Sequence, residues 1–317
     1  MHHRRVRVAI VGAGGLGSYI GAVLARVGHE VTLIARGAHA ASIEEHGLRV
    51  LSHAGDFSVR PKCAGSAFGL DGIELTFVAV KTYSLDAVAP QVRHLSEGGS
   101  VVVSLLNGVT ATARLIAQGC GADRTLDGVA YMTAFRIEAG VVQRKAEHQE
   151  IVVGSPTARD AGAAGVGGDA AAYVERAFRE TSVKIGVAAD IRVELWEKMA
   201  VVCSLSVLCA MAARNMGSVR AHPLGADLQR QAIGEVLAVG RARGVPIPSD
   251  AEARIDEKLD LFPDDFFPSV IHDLNSGFRT EMDDLGGAIS QMGREVGVPT
   301  PLHDAGTCIV QVAEARA

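Results

Sequence analysis

Cysteine is sparse in this chain, with five residues in 317. Cys63, Cys120, Cys203, Cys209 and Cys308 are scattered, odd in number and never in C-x-x-C spacing. That argues against a disulfide framework or a zinc site, so no metal is expected, and it points to reduced thiols in a cytoplasmic protein. An excess of one charge is also missing. Lys and Arg number 31 against 36 Asp and Glu, a net charge of −5, so nothing calls for nucleic acid or an anionic membrane as a partner. Long apolar runs are absent too. The longest, residues 199–213, contains Ser204 and Ser206 and falls short of the ~20 residues that span a bilayer, so a buried helix is expected there. Met1-His-His-Arg-Arg runs directly into an apolar strand, and no signal peptide is expected. What remains is an ordinary globular composition, 48% hydrophobic and 21% charged, on a chain long enough for two domains.

The most informative feature present is Gly12-Ala-Gly-Gly-Leu-Gly17. It sets Gly12, Gly14 and Gly17 in G-x-G-x-x-G spacing between an apolar strand at 6–11 and a helical stretch at 18–27. That order builds a dinucleotide site. The first glycine permits a tight turn, the second lets a pyrophosphate approach the backbone, and the third lets the helix pack on its strand. Free N–H groups at the helix N-terminus then face the anion. Gly15 and Leu16 complete the loop as candidate cofactor contacts. The second strand, at 30–35, indicates which nucleotide. An NAD site usually carries Asp or Glu at the carboxyl end of that strand. Here the strand ends in Ala35-Arg36-Gly37, while Glu30 sits at its start, about 20 Å away at 3.3 Å per residue. A guanidinium in that place suits a 2′-phosphate, so NADP is the expected cofactor.

Strand signals at 6–11, 30–35, 75–80 and 100–106 alternate with helical stretches such as 85–95, the pattern of a parallel sheet covered on both faces. Shorter strands at 124–134, 141–144 and 150–154 are expected to extend that sheet, with antiparallel pairing in view. Residues 155–169 are rich in Gly and Ala and read as a mobile surface loop. A helix over 170–181 and a strand at 183–187 follow. From residue 190 onward the signals are helical, over 191–213, 224–243, 250–259 and 281–296, with prolines between them. The expected fold class is therefore α/β: an N-terminal Rossmann-type doubly wound domain over 1–189, followed by an all-helical domain over 190–317. An apolar helix such as 224–239 could form a homodimer face or simply core, core being the commoner outcome.

Ligands of open α/β sheets sit beyond the carboxyl ends of the strands. Lys81 closes the 75–80 strand and Asn107-Gly108 closes the 100–106 strand, though a surface charge and a plain turn would look the same. Lys198 leads into the longest apolar run, which sets its amine at the edge of a dry cleft. Lys198, Val202 and Ser206 share one helical stripe, while Glu194 stands four residues before Lys198 in the order of an ordinary solvated pair. Ser269 follows Pro268 at a helix start, where capping is the plain alternative. Glu281 and Asp283 are either site carboxylates or exposed helix charges.

Taken together these motifs resemble the ketopantoate reductase (2-dehydropantoate 2-reductase) family over essentially the whole chain. The likeness rests on Gly-Ala-Gly-Gly-Leu-Gly at 12–17, Val-Lys-Thr-Tyr at 80–83, Leu-Leu-Asn-Gly-Val at 105–109 and Glu-Leu-Trp-Glu-Lys-Met at 194–199. It continues in Arg-Thr-Glu-Met-Asp at 279–283 and Gly-Val-Pro-Thr-Pro at 297–301. The resemblance implies NADPH-dependent reduction of a small 2-oxo acid, by family default 2-dehydropantoate to (R)-pantoate, in pantothenate biosynthesis. It implies that Arg36 binds the 2′-phosphate, that Lys81 lies close to the cofactor, and that Ala134 offers it a backbone contact. Asn107 would orient nicotinamide and substrate, Lys198 would be the general acid, and Ser269 a substrate ligand. Glu281 would bind the cofactor ribose and neighbour the lysine.

Departures from the family fall in the substrate half. The lysine helix of the family carries asparagines at the positions matched here by Val202 and Ser206, which leaves Ser206 as the candidate substrate ligand there. A further family asparagine is matched by Met216, beside Asn215, and the one after Pro-Thr-Pro by His303. Three alternatives therefore stay open. One is the same chemistry on a different, more apolar 2-oxo acid. The others are a nucleotide-binding redox sensor with a degenerate substrate site and an opine-type dehydrogenase.

Overall fold

The computed structural model describes residues 4–145, 147–156, 168–259 and 262–315. The loop expected at 155–169 lies outside the described residues over 157–167. The chain forms two compact units, Met1–Leu106 with Thr110–Ile191, and Asn107–Val109 with Arg192–Ala317.

The first unit carries strands β1 (Arg7–Val11), β2 (Glu30–Ile34), β3 (Leu48–Ser52), β4 (Phe57–Val59), β5 (Lys62–Ala64) and β6 (Leu75–Val78). It continues with β7 (Val101–Ser104), β8 (Thr125–Tyr131), β9 (Ala134–Glu138), β10 (Val141–Arg144), β11 (Glu150–Gly154) and β12 (Lys184–Val187). Its helices are α1 (Gly15–Arg26), α2 (Gly37–His46), α3 (Leu85–Glu97), α4 (Ala111–Ala117) and α5 (Gly168–Phe178). The main sheet runs β12-β11-β8-β7-β6-β1-β2-β5. Its six members from β5 to β8 are all parallel. Read along the chain, these follow the 3-2-1-4-5-6 order of the doubly wound dinucleotide fold, whose switch point lies between β1 and β6.

Why these residues make this sheet follows from the two-residue period of a strand. In β1, Val8 and Ile10 enter one core with Tyr19, Ile20 and Leu24 of α1. Ala9 and Val11 enter the opposite core with Leu85, Ala89 and Val92 of α3. Both faces are buried, so the strand reads as an unbroken apolar run rather than an alternating one.

Two readings are corrected here. Residues 124–134 are not one strand: β8 ends at Tyr131, and β9 starts at Ala134 in a different sheet. Nor does 141–144 extend the main sheet. β10 pairs parallel with β3 and antiparallel with β9 in a separate sheet of order β4-β3-β10-β9. Strands as short as β4 and β5 carry too little pattern to be read from sequence. β8 does extend the main sheet, in parallel with β7, and β11 extends it further by pairing antiparallel with β8.

The second unit is helical: α6 (Ile191–Ala212, its first residue in the first unit), α7 (Met216–Arg220), α8 (Gly225–Ala242), α9 (Ala251–Leu259), α10 (Ser269–Asn275), α11 (Gly286–Val296) and α12 (Pro301–Glu314). With 22 residues, α6 is long and apolar enough to cross a membrane by length and composition, and most of its apolar stretch is buried inside the fold. Trp196, Met199 and Cys203 of α6 share one buried core with Val236 of α8, Ile255 of α9, Ile289 of α11 and Val310 of α12. The buried Glu197 carboxylate is held by Arg254 and Lys258 of α9. The helix expected at 281–296 begins only at Gly286, because a 3₁₀ turn over Met282–Asp284 precedes it.

Candidate active site

In the first unit the glycine loop leaves β1 and meets the exit of β6. Gly12 has φ +106°, and a Cβ there would lie 2.7 Å from the Ala79 carbonyl group. A side chain at Gly17 would run into the Gly12 carbonyl oxygen and come within 3.0 Å of Ile10. Gly15 is closed off by the carbonyl of Ala134, which opens β9. Each of these three glycines is therefore demanded by the protein itself. Gly14 is different. It caps α1 in ordinary extended geometry, φ −75°, with nothing within 4 Å of the position a Cβ would take. The fold does not require glycine there, whereas a pyrophosphate lying on the backbone would, so the loop fits a dinucleotide. Leu16 packs partly into the core beneath.

Arg36 stands two residues beyond β2 as the N-cap of α2, exposed, with Nε donating 2.8 Å to the Gly65 carbonyl. Among the described residues that bond anchors an otherwise exposed side chain. Glu30 is at the other end of β2, paired with Arg7. Lys81 lies three residues past the end of β6, at the start of a 3₁₀ turn over Thr82–Ser84.

The second unit assembles a different set. Asn107–Val109 belong to it, with Val109 packed on the helical core. Gly108 has φ +94°, and a Cβ there would lie 3.3 Å from the Asp284 carbonyl. This turn holds Asn107 beside Glu281, with Nδ2 donating to Oε2 over 3.5 Å, the long limit of a hydrogen bond. Glu281 is 4% exposed and not a solvated helix charge. Its segment is fastened by fully buried Met282 and by Thr280, whose N–H donates 2.6 Å to Glu314 of α12.

Lys198 keeps part of its surface open to solvent. Burial of the ammonium lowers its pKa to about 8, and the Glu281 carboxylate opposes the fall. An amine whose pKa desolvation draws down toward neutrality while a carboxylate keeps it charged is suited to give up a proton.

Other expected substrate contacts are placed less simply. Val202 is half-buried against the helical core. Ser206 is fully enclosed, and its Oγ has no partner among the described residues. Ser269 is exposed in the first turn of α10, with Pro268 and not the serine at the cap. Asn215 caps α7, accepting from Ser218 N at 2.9 Å, while Met216 is buried. His303 is fully buried with Nδ1 2.6 Å from Glu235, which also accepts from the backbone N–H groups of Leu302 and His303. It fastens α12 to α8. Sequence reading missed that fastening because Glu235 is 68 residues away.

Comparison with known proteins bears on both units. The family model described as Ketopantoate reductase PanE/ApbA matches residues 8–157, and its C-terminal companion matches residues 190–314. A 2-dehydropantoate 2-reductase of Halobacterium salinarum is 30% identical, over 98% of this chain and 99% of its own. A crystal structure of a PanE/ApbA family ketopantoate reductase from Ralstonia eutropha superposes with a TM-score of 0.87 at 28% identity, covering 98% and 99% of the two chains. A ternary structure of D-mandelate dehydrogenase with NADH and anilino(oxo)acetate has the same fold, with a TM-score of 0.86 at 22% identity over 98% and 99%. The chain belongs to the ketopantoate reductase family, whose members are NAD(P)H-dependent oxidoreductases acting on 2-oxo acids.

Proposed function

We propose that this chain reduces a 2-oxo acid to the 2-hydroxy acid with NADPH, the family default being 2-dehydropantoate to (R)-pantoate. The observation that carries the reading is buried Glu281, held by Asn107 and acting on Lys198, whose pKa burial lowers to about 8. The nicotinamide supplies a hydride to the carbonyl carbon when bound. Negative charge then grows on the carbonyl oxygen, and the Lys198 ammonium both stabilises it and donates the proton that completes the hydroxyl. Lys198, left neutral, must recover its proton before the next turnover. Glu281 favours the charged lysine before each turnover. Asn107 offers an amide to nicotinamide and substrate, and Ser206 and Ser269 remain the proposed substrate contacts.

The cofactor would lie on Gly12, Gly14, Gly15, Leu16 and Gly17, against the Ala134 carbonyl, with Lys81 close by. Exposed Arg36 supports NADP over NAD, because a 2′-phosphate accepts charge-assisted bonds from a guanidinium. On this reading residues 1–189 are the NADP domain and 190–317 the substrate domain of a cytoplasmic enzyme of pantothenate biosynthesis. A second reading is favoured by Val202, an aliphatic side chain one turn from Lys198: the same chemistry on a more apolar 2-oxo acid. Steady-state rates on branched, aromatic and hydroxylated 2-oxo acids, with NADPH and with NADH, test both. Dominance of 2-dehydropantoate supports the first reading and dominance of an unhydroxylated acid the second. No turnover on any of them contradicts both.

A further inference from the structure

His39 takes no part in the chemistry above, yet it is 4% exposed and uses both ring nitrogens. Its Nδ1 is 3.0 Å from the backbone nitrogen of Gly140, and its Nε2 is 3.1 Å from Oγ of fully buried Ser18. A backbone N–H can only donate, so Nδ1 must carry a lone pair, and the ring proton sits on Nε2, donating to Ser18. The geometry therefore fixes one neutral tautomer.

The three segments joined by this ring are those that build the nucleotide site. Ser18 follows Gly17 directly, in the first turns of α1. His39 lies one turn into α2, three residues after Arg36. Gly140 makes the turn between β9 and β10 with φ +77°, and β9 opens with Ala134, whose carbonyl closes on Gly15. Ser42 of α2 adds a second tie, its Oγ donating 3.1 Å to the Ala139 carbonyl.

We propose that His39 is a positioning residue for the cofactor, a latch that sets the glycine loop, the Arg36 helix and the β9–β10 turn in mutual register only while its ring is neutral. The proposal rests on the NADP reading of this unit. Protonation would place a second donor at Nδ1, head-on to the Gly140 N–H, and the bond would be lost. Ser18 of α1 and the Gly140 amide facing the ring are uncharged, and the charged group bearing on it is Arg136 of β9. Burial, with Arg136 adding to it, lowers the His39 pKa. A histidine with a depressed pKa contributes fully above its ordinary value, and that contribution is lost as pH falls through the folded value.

The test is NADP⁺ affinity by isothermal titration between pH 5 and 8 for the intact protein, for His39→Asn and for His39→Phe. Asn keeps an acceptor near the Nδ1 position and does not titrate; Phe keeps the volume and removes both bonds. The 2′-phosphate titrates in the same range in all three, so ratios of Kd at each pH cancel it. The Asn variant is expected to gain on the natural protein as pH falls toward 5, and the Phe variant to bind about tenfold more weakly at pH 8. A ratio of natural to Asn variant that stays constant with pH, in proteins that bind NADP⁺, overturns the latch. Failure of the natural protein to bind NADP⁺ at any pH overturns the cofactor reading instead. The latch is then decided by ¹⁵N imidazole spectra and Gly140 amide exchange. An Nε2–H tautomer with exchange that quickens on acidification supports it, and an Nδ1–H tautomer contradicts it.

Discussion

Glu281 is the carboxylate that acts on Lys198: burial lowers the lysine to about 8, and Glu281 holds it from falling further. Both belong to the helical unit, 83 positions apart in the chain.

This pair sets the pH dependence of reduction. The charged lysine is the proton donor, so kcat/KM for 2-oxo acid reduction should be flat below pH 8. It should fall about tenfold per pH unit above it. In Glu281→Gln the opposing charge is gone, and the descending limb should move to lower pH. A limb that stays in place in the glutamine variant separates Glu281 from the proton donor.

Arg36→Ala should weaken NADPH by about ten- to a hundredfold, the usual worth of a hydrogen bond to a charged group. NADH, which lacks the 2′-phosphate, should be little affected. Fluorescence titration with both nucleotides reads the difference directly, and equal losses for the two would place the 2′-phosphate elsewhere.

Val202 stands one helical turn from Lys198 and is aliphatic. Val202→Asn should raise kcat/KM for a 4-hydroxylated 2-oxo acid relative to its unhydroxylated analogue by about tenfold or more, since a pocket amide discriminates strongly for a hydroxyl. An unchanged ratio means that the substrate side chain lies away from this position.

Asp127 of β8 is buried, and burial raises its carboxyl to about 6, with Thr112 opposing. A carboxyl raised on folding leaves the protein most stable below its ordinary value, and that stability is lost as pH rises through about 6. Urea midpoints should therefore decline between pH 4.5 and 7.5 relative to Asp127→Asn. The asparagine variant should be more stable at pH 7.5 by up to ~3 kcal/mol. A variant that is less stable at pH 7.5 would show that the carboxylate is compensated.

The glycine loop was readable because most of its requirement is local. Gly12 turns the chain with a positive φ and Gly17 lies against the Gly12 carbonyl, both within the strand–turn–helix itself, although Ala79 beyond β6 also crowds Gly12; Gly14 stands out because nothing in the protein crowds it. The parallel strands were readable because both faces are buried. Features set by partners distant in sequence were not readable. His39, Asp127 and His303 acquire their roles from Gly140, from the sheet interior and from Glu235. Glu281 looked like the first residue of a long helix, but the 3₁₀ turn after it takes it out of that helix, and it is buried. The second sheet escaped notice because its strands are short and its central pairing joins β10 to β3, Val141 opposite Arg49, far apart in the chain.

Single-turnover oxidation of NADPH with a 2-oxo acid substrate, comparing the natural protein with Lys198→Ala, tests the central claim most directly. Reduction should slow by about 10²–10⁴-fold, with NADPH affinity unchanged. Near-normal turnover in the alanine variant would contradict Lys198 as the proton donor.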